Sequence, residues 1–196
     1  MAIYIASRDN DMSFYDLLER FLRKTLGSMV ENELAKEDKY VGRSLDELRA
    51  LSPKKLLEAA VSRAEYRMQD YYYTDAGFAA LNRTQKIIYT AHWLELEVNN
   101  GGLCQFFTNS SRVTAHFVSE ALEAIGATKH KKLYDGFTAK YRIDTRDLSS
   151  FDSPDAKNFA AQYKRYPFDE FDTPFCNLPP LKKYLKQFIC EHISDI

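Results

Sequence analysis

Residues 91–111 read AHWLELEVNNGGLCQFFTNSS, and this stretch decides the fold of the chain. An apolar helical pattern runs up to two adjacent glycines, Gly101 and Gly102, and an aromatic run begins directly after them. The whole chain holds seven glycines, so a pair between two apolar helical segments indicates a fixed bend. Because glycine adopts positive φ at little steric cost, we predict that one of the pair ends the first helix and lets the second pack closely.

Apolar residues recur at helical spacing on both sides of the bend and through most of the chain. Before the bend, a buried stripe is predicted for a long helix that Thr84 can cap; its members are Ile87, Ile88, Ala91, Leu94 and Val98. Further helices are predicted over 13–27, 28–40, 53–73, 109–126, 128–142, from Ser153 onward and over 177–189. Residues 2–6 fit a short strand or an ordered arm, and YPFDEFDTPF, residues 166–175, is predicted to be a loop because it contains two prolines.

These patterns predict an all-α fold, a compact multi-helix domain with an N-terminal helical extension. We place the extension at residues 1–74 and the domain at residues 75–196, with the two forming one continuous globule. Strand-type alternation does not continue for more than a few residues anywhere in the sequence. The connections between the predicted helices are short, which favours antiparallel neighbours.

Composition narrows the class of protein. The 196 residues are 45% hydrophobic and 28% charged with a net charge of −1, which is typical of a folded globular protein without a nucleic-acid footprint. A membrane-spanning helix needs about 18 consecutive apolar residues, and no apolar run approaches that length. A charged residue already at position 8 argues against a secretory signal. The three cysteines lack metal-ligand spacing and fit free thiols. We therefore expect a cytoplasmic protein that contacts neither nucleic acid nor membrane.

The residues near the bend that could carry chemistry have a simpler structural interpretation. Cys104 could be a nucleophile with His92 or His116 as its base, but it lies in an apolar run where an inert, buried thiol is usual. His92, Glu95 and His116 do not form a metal-binding motif. The sequence therefore predicts no catalytic residue, no metal and no cofactor, and a protein that is not an enzyme.

Glu97 calls for a specific explanation, since it lies one turn from the end of its helix, where its charge opposes the helix dipole. We predict that its carboxylate accepts backbone N–H groups at the start of the helix 103–107 and so fixes the bend. Asn109, Ser110 or Ser111 is predicted to cap the next helix. The alternative is an uncharacterised enzyme whose site lies in a cleft around Glu95, Glu97, Asn100 and Gln105.

The bend also carries a family resemblance. The residues that resemble the signature of the DNA-mimic protein family, an all-helical group found mainly in bacteria, are Glu97, Asn99, Asn100, Gly101, Gly102, Gln105, Phe106 and Asn109. The segments Ala121-Leu122 and Ile125-Gly126-Ala127 and the loop 168–172 continue the likeness, which covers roughly residues 75–190. The resemblance implies an all-α fold and a structural or binding role for the motif residues.

The resemblance further implies a non-enzymatic protein that binds another protein, of the kind that occupies DNA-binding proteins by presenting negative charge. Residues 78–196 hold 14 acids and 15 bases, which is fewer acids than phosphate mimicry requires. An acidic partner-binding patch is nevertheless predicted from Asp144, Asp147, Asp152, Asp155, Asp169, Glu170 and Asp172. The partner expected is a basic or DNA-binding protein, with a toxin-immunity or antitoxin-like role as an alternative.

Overall fold

A computed structural model describes residues 39–68, 74–152 and 156–196 of the chain. Their α-helices, in chain order, are α1 (Leu45–Arg49), α2 (Pro53–Met68), α3 (Asp75–Ala80), α4 (Arg83–Thr108), α5 (Val118–Ala124), α6 (Thr128–Tyr141), α7 (Ala156–Arg165), α8 (Asp169–Cys176) and α9 (Leu181–Glu191). Short 3-10 helices cover Ser110–Phe117, Ser149–Phe151 and Ile193–Asp195. The elements predicted before residue 39 and the helix start at Ser153 lie outside the described residues.

The all-α prediction is confirmed, since every regular element in the described ranges is an α-helix or a 3-10 helix. Residues Tyr40–Ile196 form one compact unit. Helix α2, which precedes the predicted boundary at residue 74, packs on α4 and α9. Within the described residues, no helix has both the length and the apolar character needed to cross a bilayer.

Helix α4 is the centre of the core. The five residues of its predicted stripe are all buried, and the helix contacts α2, α5, α8 and α9. Its aromatic continuation beyond the glycines is equally buried, with Phe106 and Phe107 both at 0% exposure. Each such side chain buries a large apolar area. The bend and its two helical arms are therefore enclosed by neighbouring helices.

The starts of α1 and α2 have typical helix-start residues, whereas the start of α4 differs from its prediction. Ser44 and Glu47 form a reciprocal capping box before α1, and Pro53 occupies the first position of α2. The expected cap of α4 at Thr84 is wrong. The cap is instead Asn82, two residues earlier, and α4 begins at Arg83. The Asn82 side chain accepts from the backbone N–H of Gln85, and the Gln85 side chain accepts from the backbone N–H of Asn82.

The predicted loop over residues 166–175 is also wrong, because α8 occupies Asp169–Cys176 with Pro174 inside it. Phe168, Phe171 and Phe175 are all buried, at 1%, 0% and 4% exposure. Their spacing of three and four residues places them on one helical face. The free energy gained by burying these three rings offsets the cost of the backbone hydrogen bond that is missing because Pro174 has no N–H.

A histidine buried under this helix makes stability depend on pH. His130 is 1% exposed and lies edge-on to Phe175 and Tyr184, and its burial lowers its pKa below the usual 6.5. The unfolded chain therefore binds a proton more readily, so the contribution of His130 is fully present above pH 6.5 and is lost as pH falls through its folded pKa.

Urea unfolding at decreasing pH should show this effect. Between about pH 7.5 and about pH 5.5, His130 should lower the free energy of unfolding by at most about 1.4 kcal/mol per pH unit. His130→Gln should reduce the slope without abolishing it, because burial also lowers the pKa of His92. An unchanged slope in His130→Gln would contradict the assignment.

Candidate functional site at the helix bend

The two glycines break the helical geometry of α4 as predicted. Gly101 has an extended φ of −156°, and Gly102 has φ 78° and ψ 178°, a region open essentially to glycine alone. A methyl group at Gly102 would overlap the Asp172 carboxylate and meet the Tyr163 hydroxyl. At Gly101 it would overlap the amide of Gln105. A Cβ atom at either position would therefore displace a neighbouring side chain, and at Gly102 the backbone conformation itself also favours glycine.

Glu97 connects the two arms of the bend through side chains. Its Oε2 accepts from Gln105 Nε2 at 2.6 Å and from Asn109 Nδ2 at 2.8 Å, and its Oε1 accepts from the Ser111 hydroxyl at 3.0 Å. Glu97 is 6% exposed. The predicted bracing role has this geometric basis, but the predicted backbone donors are wrong. Asn109 precedes the 3-10 helix without a side-chain capping bond, because its amide is directed to Glu97.

The backbone N–H that Glu97 was expected to bind is bonded by a distant residue. Asp172, on α8, accepts from the N–H of Leu103 at 2.8 Å. The Tyr163 hydroxyl, on α7, donates to the carbonyl of Gly101 at 2.7 Å. Burial raises the pKa of Asp172, and burial together with the Asp172 charge raises the pKa of Tyr163 to about 12. Helices α7 and α8 thus hold the bend from outside.

Because Asp172 is half-buried, the capping bond and the charge should be separable by substitution. Asp172→Ala removes the acceptor for Leu103 and should cost about 1–2 kcal/mol in the free energy of unfolding. Asp172→Asn keeps an acceptor and removes a charge that burial disfavours, so its effect should stay within about 0.5 kcal/mol. Urea unfolding near neutral pH measures both, with the exposed neighbour Asp169→Asn as control. Equal losses in the two Asp172 variants would show that the charge itself stabilises the bend.

The remaining residues of the site divide between core and surface. Cys104 is fully buried, and burial raises its pKa to about 11, so its thiol stays protonated at neutral pH. Glu95 is buried against the start of α9, where it accepts from the N–H of Lys182 at 3.0 Å. Asn99 and Asn100 are exposed. The two carboxylates thus bond to different segments, Glu95 to α9 and Glu97 to residues 105–111.

The seven acids predicted to form a patch have different environments. Asp172 caps the bend. Asp152 forms an ion pair with Arg112, and Glu170 forms one with Lys140 at 2.5 Å. These three carboxylates are engaged within the structure.

Three others remain on the surface. Asp144 and Asp147 each accept from the backbone N–H two residues further on, at 2.9 and 3.0 Å, and so stabilise turns in the loop 143–148. Asp169 is exposed at the start of α8. In the described part of the chain, none of these three carboxylates has an ion-pair partner. Asp155 lies outside the described residues.

The sequence did not single out Tyr163, and it placed Asp172 in a binding patch. No local pattern identifies either role, since 62 residues separate Tyr163 from Gly101 and 69 separate Asp172 from Leu103. The role of Ser111 had a partial signal, because a serine after Asn109 was expected to cap a helix. Across the described residues, there is no cluster of three or more His, Cys, Asp or Glu side chains suited to a metal ion.

Comparison with known protein families agrees with the family resemblance of the residues at the bend. A family model described as DMP19-like protein matches residues 79–192, more than half of the chain. The match includes the glycine pair, the Glu97 network and both residues that hold the bend from outside. Searches of curated proteins and of solved structures found no match.

Proposed function

Because this chain belongs to the DMP19-like family, we propose that it is a non-enzymatic protein that binds another protein, one with a basic, DNA-binding surface. The proposal rests on family membership, on the resemblance of the motif to DNA-mimic proteins and on the way the bend uses its polar groups. In this proposal the motif residues stabilise the fold, and surface residues bind the partner.

The observation that carries the proposal is the inward bonding of the motif. Glu97 accepts three hydrogen bonds from Gln105, Asn109 and Ser111, so both of its carboxylate oxygens are bonded within the protein. A carboxylate held this way braces backbone geometry, and a substrate would have to displace those donors to reach it. The motif therefore makes a rigid support for the helices around it.

Among the described acids of the predicted patch, Asp144, Asp147 and Asp169 are the ones without an ion-pair partner and so the ones we expect a basic partner to contact. Two of them are held in fixed turns, so a partner would meet them without ordering the loop first. Three charges are few beside a DNA backbone, which carries one charge per about 1.7 Å of duplex. We therefore expect shape complementarity to contribute most of the affinity. The charges would set the orientation of the partner and the choice between partners.

The test is capture of a partner by the tagged full chain from a lysate of its source organism, followed by binding measurements with the purified partner. We expect stoichiometric recovery of one basic protein that short duplex DNA displaces. Neutralising the three carboxylates should weaken binding about tenfold or more. The variant is Asp144→Asn, Asp147→Asn and Asp169→Asn, in which asparagine keeps the turn hydrogen bonds.

A matched variant removes three exposed charges elsewhere. It combines Asp46→Asn, Glu123→Gln and Glu191→Gln and should leave binding unchanged. Equal weakening in both variants would show a nonspecific charge effect and contradict the acidic surface. A partner that binds the chain but not DNA would favour the antitoxin or immunity role. A co-purified small molecule that the chain converts would overturn the non-enzymatic proposal.

A further inference from the structure

A cavity of about 420 Å³ lies on the outer side of the 3-10 helix Ser110–Phe117, separate from the Glu97 network. Its walls come from three segments: the start of α3, this 3-10 helix and the loop 143–148. The volume is within the range of small-molecule sites, about 300–1,000 Å³. From its lining we propose that it binds a hydroxylated organic phosphate monoester, such as a pentose phosphate or a nucleoside monophosphate.

Two guanidinium groups give the cavity its preference for anions. Arg112 and Arg146 both line it, whereas Asp75 is its one acidic lining residue. The Arg112 side chain is already oriented by its ion pair with Asp152, and a guanidinium has five donors, so N–H groups remain for a ligand. Among the described residues, the Arg146 guanidinium has no hydrogen-bond or ion-pair partner. A group with two negative charges is the matching ligand, and a phosphate monoester carries about −1.5 to −2 at neutral pH.

The other lining groups favour an organic body with hydroxyls. Ser110 and Thr145 contribute hydroxyl groups and Asp75 contributes a hydrogen-bond acceptor, while Val113 and Leu148 provide apolar surface. A carboxylate beside the anion site repels a bare polyanion and accepts from a ligand hydroxyl. A lining that combines polar groups with apolar surface thus suits a sugar phosphate better than inorganic phosphate or a nucleic-acid backbone.

The walls of the cavity are held in place before any ligand binds. The 3-10 helix is fixed at Asn109 and Ser111 by the Glu97 carboxylate. The loop is fixed by the turn hydrogen bonds of Asp144 and Asp147 and by the buried side chain of Leu148. A preorganised site loses less free energy on binding than one that must order.

Isothermal titration calorimetry with the full chain tests this site. The probes are ribose 5-phosphate, adenosine monophosphate, ribose and inorganic phosphate. We expect at least one organic phosphate to bind with a Kd below about 1 mM, and ribose and inorganic phosphate to bind at least about tenfold more weakly. Arg146→Gln should weaken the organic phosphate about tenfold or more.

Arg142→Gln is the matched control, since it removes the same charge from an exposed residue close in sequence that does not line the cavity. It should leave the Kd within about twofold, and equal melting temperatures of the two variants would show that the fold is kept. Equal affinity of the wild type and Arg146→Gln would overturn the site. Inorganic phosphate binding as well as either organic phosphate would overturn the ligand class. Absence of saturable binding by every probe up to about 10 mM would overturn the proposal. These readouts need no protein partner.

Discussion

Glu97→Ala is expected to lower the free energy of unfolding by about 3–5 kcal/mol, with a fall in Tm of roughly 10 °C. The change leaves the amides of Gln105 and Asn109 and the hydroxyl of Ser111 without their acceptor. Buried donors that lose a partner each cost about 1–3 kcal/mol. The bend would lose the three side-chain hydrogen bonds that join Glu97 to the segment 105–111. Thermal and urea unfolding followed by circular dichroism measure the loss.

Glu97→Gln keeps the shape of the side chain but reduces its capacity to accept hydrogen bonds, so it distinguishes the two contributions. The amide oxygen can replace one carboxylate oxygen, but the NH2 group then faces donors, so an intermediate loss of about 1–3 kcal/mol is expected. Glu123→Ala, at an exposed glutamate, is the control and should stay within about 0.5 kcal/mol. If both Glu97 variants melted with the wild type, the bracing role would be wrong.

Gly102→Ala is expected to cost about 2–5 kcal/mol, from two sources. The backbone at φ 78° and ψ 178° is unfavourable for any residue with a Cβ atom. The added methyl group would also overlap the Asp172 carboxylate and press on Tyr163. Relieving that overlap would break the capping bond to Leu103, so helices α7 and α8 should loosen together with the bend.

Substitutions at two other glycines separate the backbone cost from the cost of the close contacts. Gly126 has φ 74° but open space around it, so Gly126→Ala should show only the backbone term, about 1–2 kcal/mol. Gly136 lies within α6, also in open space and without positive φ, and Gly136→Ala should stabilise the protein by about 0.5–1 kcal/mol. Urea unfolding of the three variants should rank the losses as Gly102, Gly126, Gly136. A loss at Gly102 no larger than at Gly126 would show that the close contacts carry no cost.

The bend shows which structural features could be predicted from the local sequence. Adjacent glycines between apolar segments predicted a break with positive φ, and Gly102 has it. That Glu97 has specific bonding partners was also predictable, because a carboxylate near a helix C-terminus is unfavourable without them. Its partners were not predictable. Gln105, Asn109 and Ser111 become donors only after the bend turns them toward Glu97.

Helix α8 shows the opposite case, in which tertiary burial prevailed over a local signal. Two prolines in YPFDEFDTPF predicted a loop, but the spacing of Phe168, Phe171 and Phe175 is helical, and all three rings are buried. Proline disfavours a helix interior by about 3 kcal/mol, whereas each buried aromatic ring contributes about 1.5–3 kcal/mol. The aromatic spacing was the signal that a sequence-based interpretation could have used.

The sequence by itself determined the all-α class, the buried stripe of α4, the position of the bend with its positive-φ glycine, and the family resemblance. These properties depend on periodicity and backbone conformation, which neighbouring residues along the chain control. Only the tertiary structure decided that Asp172 and Tyr163 hold the bend, that three predicted patch acids are engaged internally and that Arg112 and Arg146 line one cavity. Hydrogen bonds and ion pairs act over a few ångströms, and the packing of distant helices decides which side chains come that close.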